Sequence, residues 1–156
     1  MEVNKSSRHS KITGDFSESL ILYWLSKYGF ECALVDHTGI DIIANNPHTN
    51  EVMGISVKSR SRNTGKEGQY VAITNDNFPK VERACDAFNC EPYFAVVVDE
   101  GCKIYAFITS MEHLFELHPK ASTRVSWKMS QKWLETYQED PEVIMIEFEH
   151  STLSWW

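Results

Sequence analysis

The chain has 156 residues, of which 42% are hydrophobic and 24% are charged, and its formal net charge is −7. This length and composition are typical of one globular domain with its own hydrophobic core. The sequence contains no run of about 18 apolar residues, which excludes a membrane-spanning helix. The acidic net charge argues against a protein that coats nucleic acid by charge alone.

The two ends of the chain differ in character. Residues 1–13 are mostly polar and are expected to form a flexible arm, and no apolar signal region precedes residue 11, so we expect a cytoplasmic protein. A single domain is expected over residues 14–156, with a core over 14–109 and a C-terminal extension of helices and a strand over 110–156. The apolar residues 153–156 are expected to dock on the domain or on a second subunit.

Hydrophobic spacing predicts a helix that opens the domain. Apolar residues recur at helical spacing from about residue 16, and Gly29 is placed to end the helix. Thr13 or Asp15 is expected to cap it, with Glu18 in its first turn. Three strands follow at 30–35, 40–44 and 52–59, and the second and third of them form a hairpin.

The second half of the chain alternates helices and strands. The predicted elements are a short strand at 70–73, a helix at 76–88, a buried central strand at 93–98, a strand at 103–108, short helices at 110–117 and 130–137, and a last strand at 143–148. The fold class is therefore α/β or α+β, a mixed central β-sheet flanked by helices.

Two strands of the predicted hairpin carry polar residues that suggest chemistry. Asp41 lies in the apolar run GIDIIA, and Lys58 lies at the end of GISVKSR in the next strand. If the hairpin brings them together, the carboxylate can bind Mg²⁺ while the lysine stabilises charge beside a phosphate. The alternative is a structural salt bridge between two partly buried strands.

A basic stretch follows directly. Residues 58–66 contain four cationic side chains and no acid. Guanidinium groups and hydroxyls of this stretch are suited to phosphate contacts, and Gln69 could line the same groove. The predicted nucleic-acid contacts are Ser59, Arg60, Arg62, Lys66 and Gln69. The alternative is an ordinary solvated loop.

The ordered set Gly14-x-x-x-Glu18, Gly39-Ile40-Asp41 and Val57-Lys58 resembles the PD-(D/E)xK nuclease superfamily, and most of all the archaeal-type Holliday-junction resolvases. The resemblance implies a restriction-endonuclease-like fold and a nuclease that hydrolyses phosphodiester bonds in nucleic acid, for which we expect DNA. It implies Mg²⁺ or Mn²⁺ held by Asp41 and Glu18, with Lys58 assisting the attacking water. It also favours a homodimer.

Ser56 departs from the pattern of that family, which has Glu, Asp or Gln two residues before the lysine. Serine is short and neutral, although its hydroxyl could meet a metal-bound water. The predicted catalytic set is therefore Glu18, Asp41, Ser56 and Lys58, with Glu18 compensating for the missing acid. Two other interpretations stay open: a decayed nuclease fold that binds nucleic acid or a protein without cleavage, and a structural subunit in which these residues form salt bridges.

Overall fold

A computed structural model of the chain describes residues 4–152. The first three residues of the expected arm, and the segment 153–156 that we expected to dock, lie outside the described residues.

Residues 4–152 form four helices and eight strands. The helices are α1 (His9–Lys27), α2 (Asn77–Phe88), α3 (Met111–Leu117) and α4 (Gln131–Glu139). The strands are β1 (Glu31–Leu34), β2 (Ile42–Asn45), β3 (Val52–Ser61), β4 (Val71–Thr74), β5 (Glu91–Glu100), β6 (Lys103–Ser110), β7 (Arg124–Trp127) and β8 (Ile144–Glu149). None of these helices is long and apolar enough to cross a bilayer.

Six strands form one mixed sheet in the order β1-β2-β3-β5-β6-β8, and β4 pairs with β7 in a separate two-stranded ribbon. Within the large sheet β3 and β5 are parallel, and the other neighbours are antiparallel. A mixed sheet flanked by helices is what the sequence predicts. The predicted β2–β3 hairpin is also confirmed.

Both faces of the sheet are covered, so the protein has two hydrophobic cores. On one face α1 packs Ile21 and Leu25 into the core that also contains Ala95 and Val97 of β5. On the other face Val96 of β5 belongs to the core that α2, α3, α4 and the β4–β7 ribbon build. Burial on both faces explains the nearly continuous apolar run of β5, and the prediction of a central strand is confirmed.

Helix α1 begins at His9, four residues before the predicted start, so residues 9–13 of the expected arm are helical. Thr13 and Asp15 are not caps: the Thr13 hydroxyl donates to the His9 carbonyl at 2.7 Å, and Asp15 pairs with Lys11 at 2.9 Å. Glu18 accordingly lies in the middle of the helix. Tertiary contact explains the earlier start, because His9 Nε2 lies 3.0 Å from Ser61 Oγ at the end of β3.

Strand β7 was missed by the sequence analysis, which left residues 124–127 unassigned. It pairs with β4 from Val71↔Trp127 to Thr74↔Arg124. Its two apolar residues, Val125 and Trp127, are fully buried beneath the ribbon. Two apolar positions in four residues are too short a pattern to identify a strand without its partner.

The turn before β2 requires a glycine. Gly39 has φ +112°, and a Cβ placed on it would lie 2.3 Å from the carbonyl oxygen of Lys80 in α2. The backbone of this turn therefore passes directly over the backbone of α2. This close approach sets where Ile40 and Asp41 stand relative to the sheet.

We expect Gly39→Ala to destabilise the fold by about 2–4 kcal/mol, because alanine adds both left-handed backbone strain and a clash with backbone atoms. The matched control is Gly14→Ala in α1, where a Cβ meets nothing within 4 Å. That change should stabilise by about 0.5–1 kcal/mol through helix propensity. Urea unfolding of both variants measures the difference, and equal stabilities would contradict this account of the turn.

Candidate active site

One edge of β3 is open beyond its midpoint. Pairing with β2 runs from Asn45↔Val52 to Ile42↔Ile55, whereas pairing with β5 continues to Ser61↔Asp99. Over the described residues, 56–61 therefore have a strand neighbour on one side alone. Such an edge exposes backbone donors and acceptors that need other partners.

Asp41 supplies one of those partners. Its own N–H donates to the Ile55 carbonyl at 2.8 Å, and the Val57 N–H donates to Asp41 Oδ2 at 2.6 Å. The carboxylate thus takes the place of a backbone carbonyl where β2 diverges from β3. Burial raises the pKa of Asp41, against the opposing effects of the Val57 hydrogen bond and the charge of Lys58.

Lys58 is held in place by the first turn of α2. Its half-buried ammonium donates to Asn77 Oδ1 at 2.7 Å, and the Asn77 amide in turn donates to the Thr74 carbonyl at 3.0 Å. Burial lowers the pKa of Lys58, against the opposing charges of Asp41 and Asp76. In residues 4–152 the Lys58 ammonium has no carboxylate oxygen within 4.0 Å, so it does not form the direct salt bridge considered above.

Glu18 faces the same region from α1. It is half-buried, and burial raises its pKa, with further increases from the negative charges of Asp41 and Asp15. The negative charge of Asp41 acts on Glu18 although the two residues come from different elements. An acid whose proton affinity is raised by a neighbouring carboxylate is in a favourable place for a cation.

Ser56 lies two residues before Lys58 and is only 2% exposed. Strand alternation places it on the same sheet face as Gly54 and Lys58, which is the face covered by α2. A carboxylate here would be buried and would need a cation or several hydrogen-bond donors to be tolerated. Serine removes that charge, so Asp41 and Glu18 are the carboxylates left to hold a metal ion at this edge.

The basic stretch divides into two groups. Arg62 fastens its own loop, because its guanidinium donates to the carbonyls of Gln69 at 3.1 Å and Tyr70 at 2.8 Å. The guanidinium is therefore engaged by backbone carbonyls through Nη2, and its contact with a phosphate stays a prediction. Arg60, Lys66 and Gln69 are exposed, and Ser59 is half-buried.

The sequence analysis missed the side chains that shape the edge around Lys58. Asn77, 19 residues away in sequence, has no signal that would link it to Lys58 before the fold is known. Lys5 and His9 approach from the N-terminal side: Lys5 Nζ donates to the Ser61 carbonyl at 2.6 Å. Together with Lys58 and Arg60 they line a cavity of about 660 Å³, which we call the edge cavity.

A second polar cluster lies elsewhere, on α3 and the turn before β8. Ligand atoms of His113, Glu116 and Glu142 lie within 4.8 Å of one another, and His113 Nε2 is 2.8 Å from Asp140. Burial acts to lower the pKa of His113, but hydrogen bonds to Asp140 and Glu116 outweigh it and the pKa is raised. The cluster is well explained by the hydrogen bonds of His113 with Glu116 and Asp140.

No protein-family profile and no curated protein sequence matches the chain. Its structure is similar to that of Hjc from Archaeoglobus fulgidus, a Holliday junction resolvase, with a TM-score of 0.56 and 18% identity over 78% of this chain and 92% of that chain. A restriction endonuclease in complex with substrate DNA aligns at a TM-score of 0.35 and 14% identity over 89% of this chain and 70% of its own. The chain has a restriction-endonuclease-like fold, as its residue pattern predicted.

We expect Asp41→Asn to lower the pKa of Glu18, because the negative charge of Asp41 raises it in the wild type. Asparagine keeps an oxygen that can accept from the Val57 N–H, so the strand edge is preserved. Deprotonation of Glu18, followed by carboxyl-carbon NMR, should then occur at lower pH than in the wild type.

Asp36→Asn is the control, since Asp36 is exposed and is not among the groups that shift Glu18. It should leave the Glu18 titration where it is. An unchanged Glu18 pKa in Asp41→Asn would show that the two carboxylates do not share a site.

Proposed function

We propose that the protein is a divalent-metal-dependent nuclease that hydrolyses phosphodiester bonds in nucleic acid, with DNA as its substrate. One observation carries the proposal: Asp41 is anchored on the Val57 amide at an open strand edge, with Lys58 and Glu18 in electrostatic reach. The fold adds support, since a DNA-junction resolvase has the same architecture. The substrate assignment to DNA rests on that neighbour.

The donor set fits a hard divalent cation. Asp41 uses Oδ2 for the Val57 amide, which leaves Oδ1 for a ligand, and Glu18 supplies a second carboxylate. Burial raises the pKa of both groups, so each ionised form would gain from a neighbouring positive charge. Mg²⁺ is commonly held by one or two carboxylates plus substrate phosphates, and Mn²⁺ is the usual substitute for testing such a site. The bound ion would polarise the phosphate and lower the pKa of a water.

Lys58 would act on the phosphate from a fixed position. Asn77 holds the ammonium at the site through one hydrogen bond, which leaves two N–H groups for other acceptors. A fixed ammonium beside the phosphoryl oxygens stabilises the negative charge that develops as water attacks phosphorus and the leaving oxygen departs. Its partial burial strengthens this effect, because water screens the charge less there.

The backbone of the nucleic acid would follow the exposed part of the basic stretch. Arg60 and Ser59 line the edge cavity beside Lys58, and Lys66 and Gln69 lie farther along the loop. Arg62 contributes indirectly, by fixing the loop through the carbonyls of residues 69 and 70. These contacts read phosphates and carry no sequence specificity.

Cleavage of labelled linear, single-stranded and branched DNA and of RNA, with Mg²⁺ or Mn²⁺, tests the proposal. We expect wild type to cut at least one DNA substrate, and Asp41→Asn and Lys58→Met each to lower the rate by at least about 10²- to 10³-fold, because each removes charge that acts on the transition state. Lys80→Met is the control, since Lys80 is an exposed residue of α2 paired with Asp76.

If Lys80→Met lowers the rate to the same degree as Lys58→Met, the loss reflects the removal of any positive charge and not a specific role of Lys58. Equal behaviour of wild type and Asp41→Asn on every substrate would overturn the nuclease assignment.

A second candidate function is nucleic-acid binding without cleavage. The observation that favours it is Ser56, which puts a buried neutral side chain where the related pattern has an acid or an amide. In that case Asp41 and Glu18 would bind a metal ion too weakly for catalysis, while the exposed basic residues would still hold phosphates.

Ser56→Glu separates the two functions. For a decayed nuclease, we expect no cutting by wild type and a gain of metal-dependent cutting in Ser56→Glu, because the third carboxylate completes the metal site. For an active nuclease, wild type already cuts, and Ser56→Glu changes the metal concentration needed for half-maximal rate. Ser56→Met is the matched control, of similar size and with neither a charge nor an oxygen that could bind the metal ion.

A further inference from the structure

A cavity of about 720 Å³ lies between the end of β3, the β4–β7 ribbon and the start of α4. We call it the ribbon cavity. Its volume is within the range of about 300–1,000 Å³ that small-molecule sites occupy. No local sequence pattern predicts this cavity, because the ribbon joins residues near 70 to residues near 130 that are far apart in the chain.

Its lining is positively charged. Three cationic side chains, Arg60, Arg124 and Lys128, line it, and none of the described residues that line it is acidic. This concentration of positive charge occurs in a protein with a net charge of −7. A cavity with one sign of charge concentrates ligands of the opposite sign, so its ligand should carry negative charge.

Two aromatic side chains share the lining, and each has a cation beside it. The Arg124 guanidinium lies 5.6 Å from the centre of the Tyr70 ring, and Lys128 Nζ lies 5.1 Å from the centre of the Trp133 ring. An aromatic ring next to a cation matches a nucleotide, whose base stacks on the ring while its phosphate pairs with the cation.

Both rings are held in place before any ligand arrives. Arg124 Nη1 donates to Tyr70 Oη at 3.1 Å, and Trp133 packs against His118 with ring centres 4.5 Å apart. His118 is itself buried and lies 2.6 Å from the Tyr137 hydroxyl. A ring that is already ordered loses little conformational entropy on binding, which favours a stacking function.

The ribbon cavity is connected to the candidate active site through Arg60, which lines both it and the edge cavity that contains Lys58. Arg60 is two residues after Lys58 in β3, a distance of about 7 Å along the strand, and alternation places both on the same sheet face. A strand with one phosphate at Asp41 and Lys58 can therefore place a neighbouring nucleotide in the ribbon cavity.

We propose that the ribbon cavity binds an unpaired nucleotide of the substrate strand, with its base against Trp133 or Tyr70 and its phosphate on Arg60 or Lys128. This inference rests on the proposed function and names its substrate class: DNA with a single-stranded segment or an unpaired base beside the cut. A base inside a duplex is stacked on its neighbours and does not present its face to these rings.

Fluorescence anisotropy of the full chain, with EDTA present, measures binding without cleavage. The probes are a short labelled single strand and the duplex of the same sequence. We expect Trp133→Ala to weaken binding of the single strand by about 5- to 150-fold, the range for removing one stacking partner, with little change for the duplex. Trp133→Phe keeps an aromatic face and should restore most of the affinity.

Lys128→Gln tests the phosphate contact with an exposed residue whose loss does not threaten the fold. It should reduce the slope of log affinity against log salt for the single strand by about 0.7, the value for one phosphate contact. Lys132→Gln is the matched control, an exposed lysine of α4 that does not line the cavity. Equal slopes for the two variants, together with unchanged binding in Trp133→Phe and Trp133→Ala, would overturn the proposal.

The outcomes separate this inference from the proposed function. If wild type cuts DNA and Asp41→Asn does not, while the cavity variants bind and cut like wild type, only the ribbon cavity assignment fails. If wild type neither binds nor cuts any DNA, both fail. A free nucleotide has the same base and phosphate as a nucleotide of a strand, so calorimetry with a free deoxynucleoside monophosphate distinguishes the two ligands. If the free nucleotide binds as tightly as the single strand, the cavity is a site for a free nucleotide and the strand assignment is overturned.

Discussion

The hydrogen bond from the Val57 amide to the Asp41 carboxylate is the interaction on which the site depends. It is the last hydrogen bond between the two strands before β2 diverges from β3, and it holds an acidic side chain beside the open edge of β3. A buried amide without a partner would cost about 1–3 kcal/mol, so the carboxylate has a structural reason to be there as well as a chemical one. Gly39 makes this possible, because its turn passes against the backbone of α2.

Charge at this edge is costly for the folded state. Burial raises the pKa of Asp41 and Glu18 and lowers that of Lys58, so in each case the ionised form is disfavoured. In its ionised form each of these groups reduces the stability of the fold, because its neighbours compensate only partly for burial. Groups perturbed in this way cluster at functional sites, where a cation and a phosphate supply the missing partners.

The sequence was sufficient to predict the mixed sheet and the fold class. Strand alternation and the apolar run of β5 located the large sheet, and the ordered pattern of Glu18, Asp41 and Lys58 led to the correct fold. Features that depend on tertiary contacts could not be predicted from the sequence. The start of α1 is set by docking on β3, β7 exists as a strand only because β4 pairs with it, and the Lys58–Asn77 contact joins two elements that no local pattern connects. Arg62 is a further example, since its charge does not indicate that it donates hydrogen bonds to carbonyls of its own loop.

The parallel pairing of β3 with β5 has a consequence for the order of events during synthesis. All the residues of the proposed chemistry lie before residue 78, yet the part of β3 that bears Lys58 and Arg60 has its strand neighbour only in residues 91–100. A parallel pair of strands needs a crossover connection, which here passes through α2. The conformational entropy of closing that loop is lost before the pairing of β3 with β5 compensates for it. On the ribosome the nascent chain therefore holds its charged groups in an unfinished sheet, and the geometry around Lys58 is completed only after β5 has emerged.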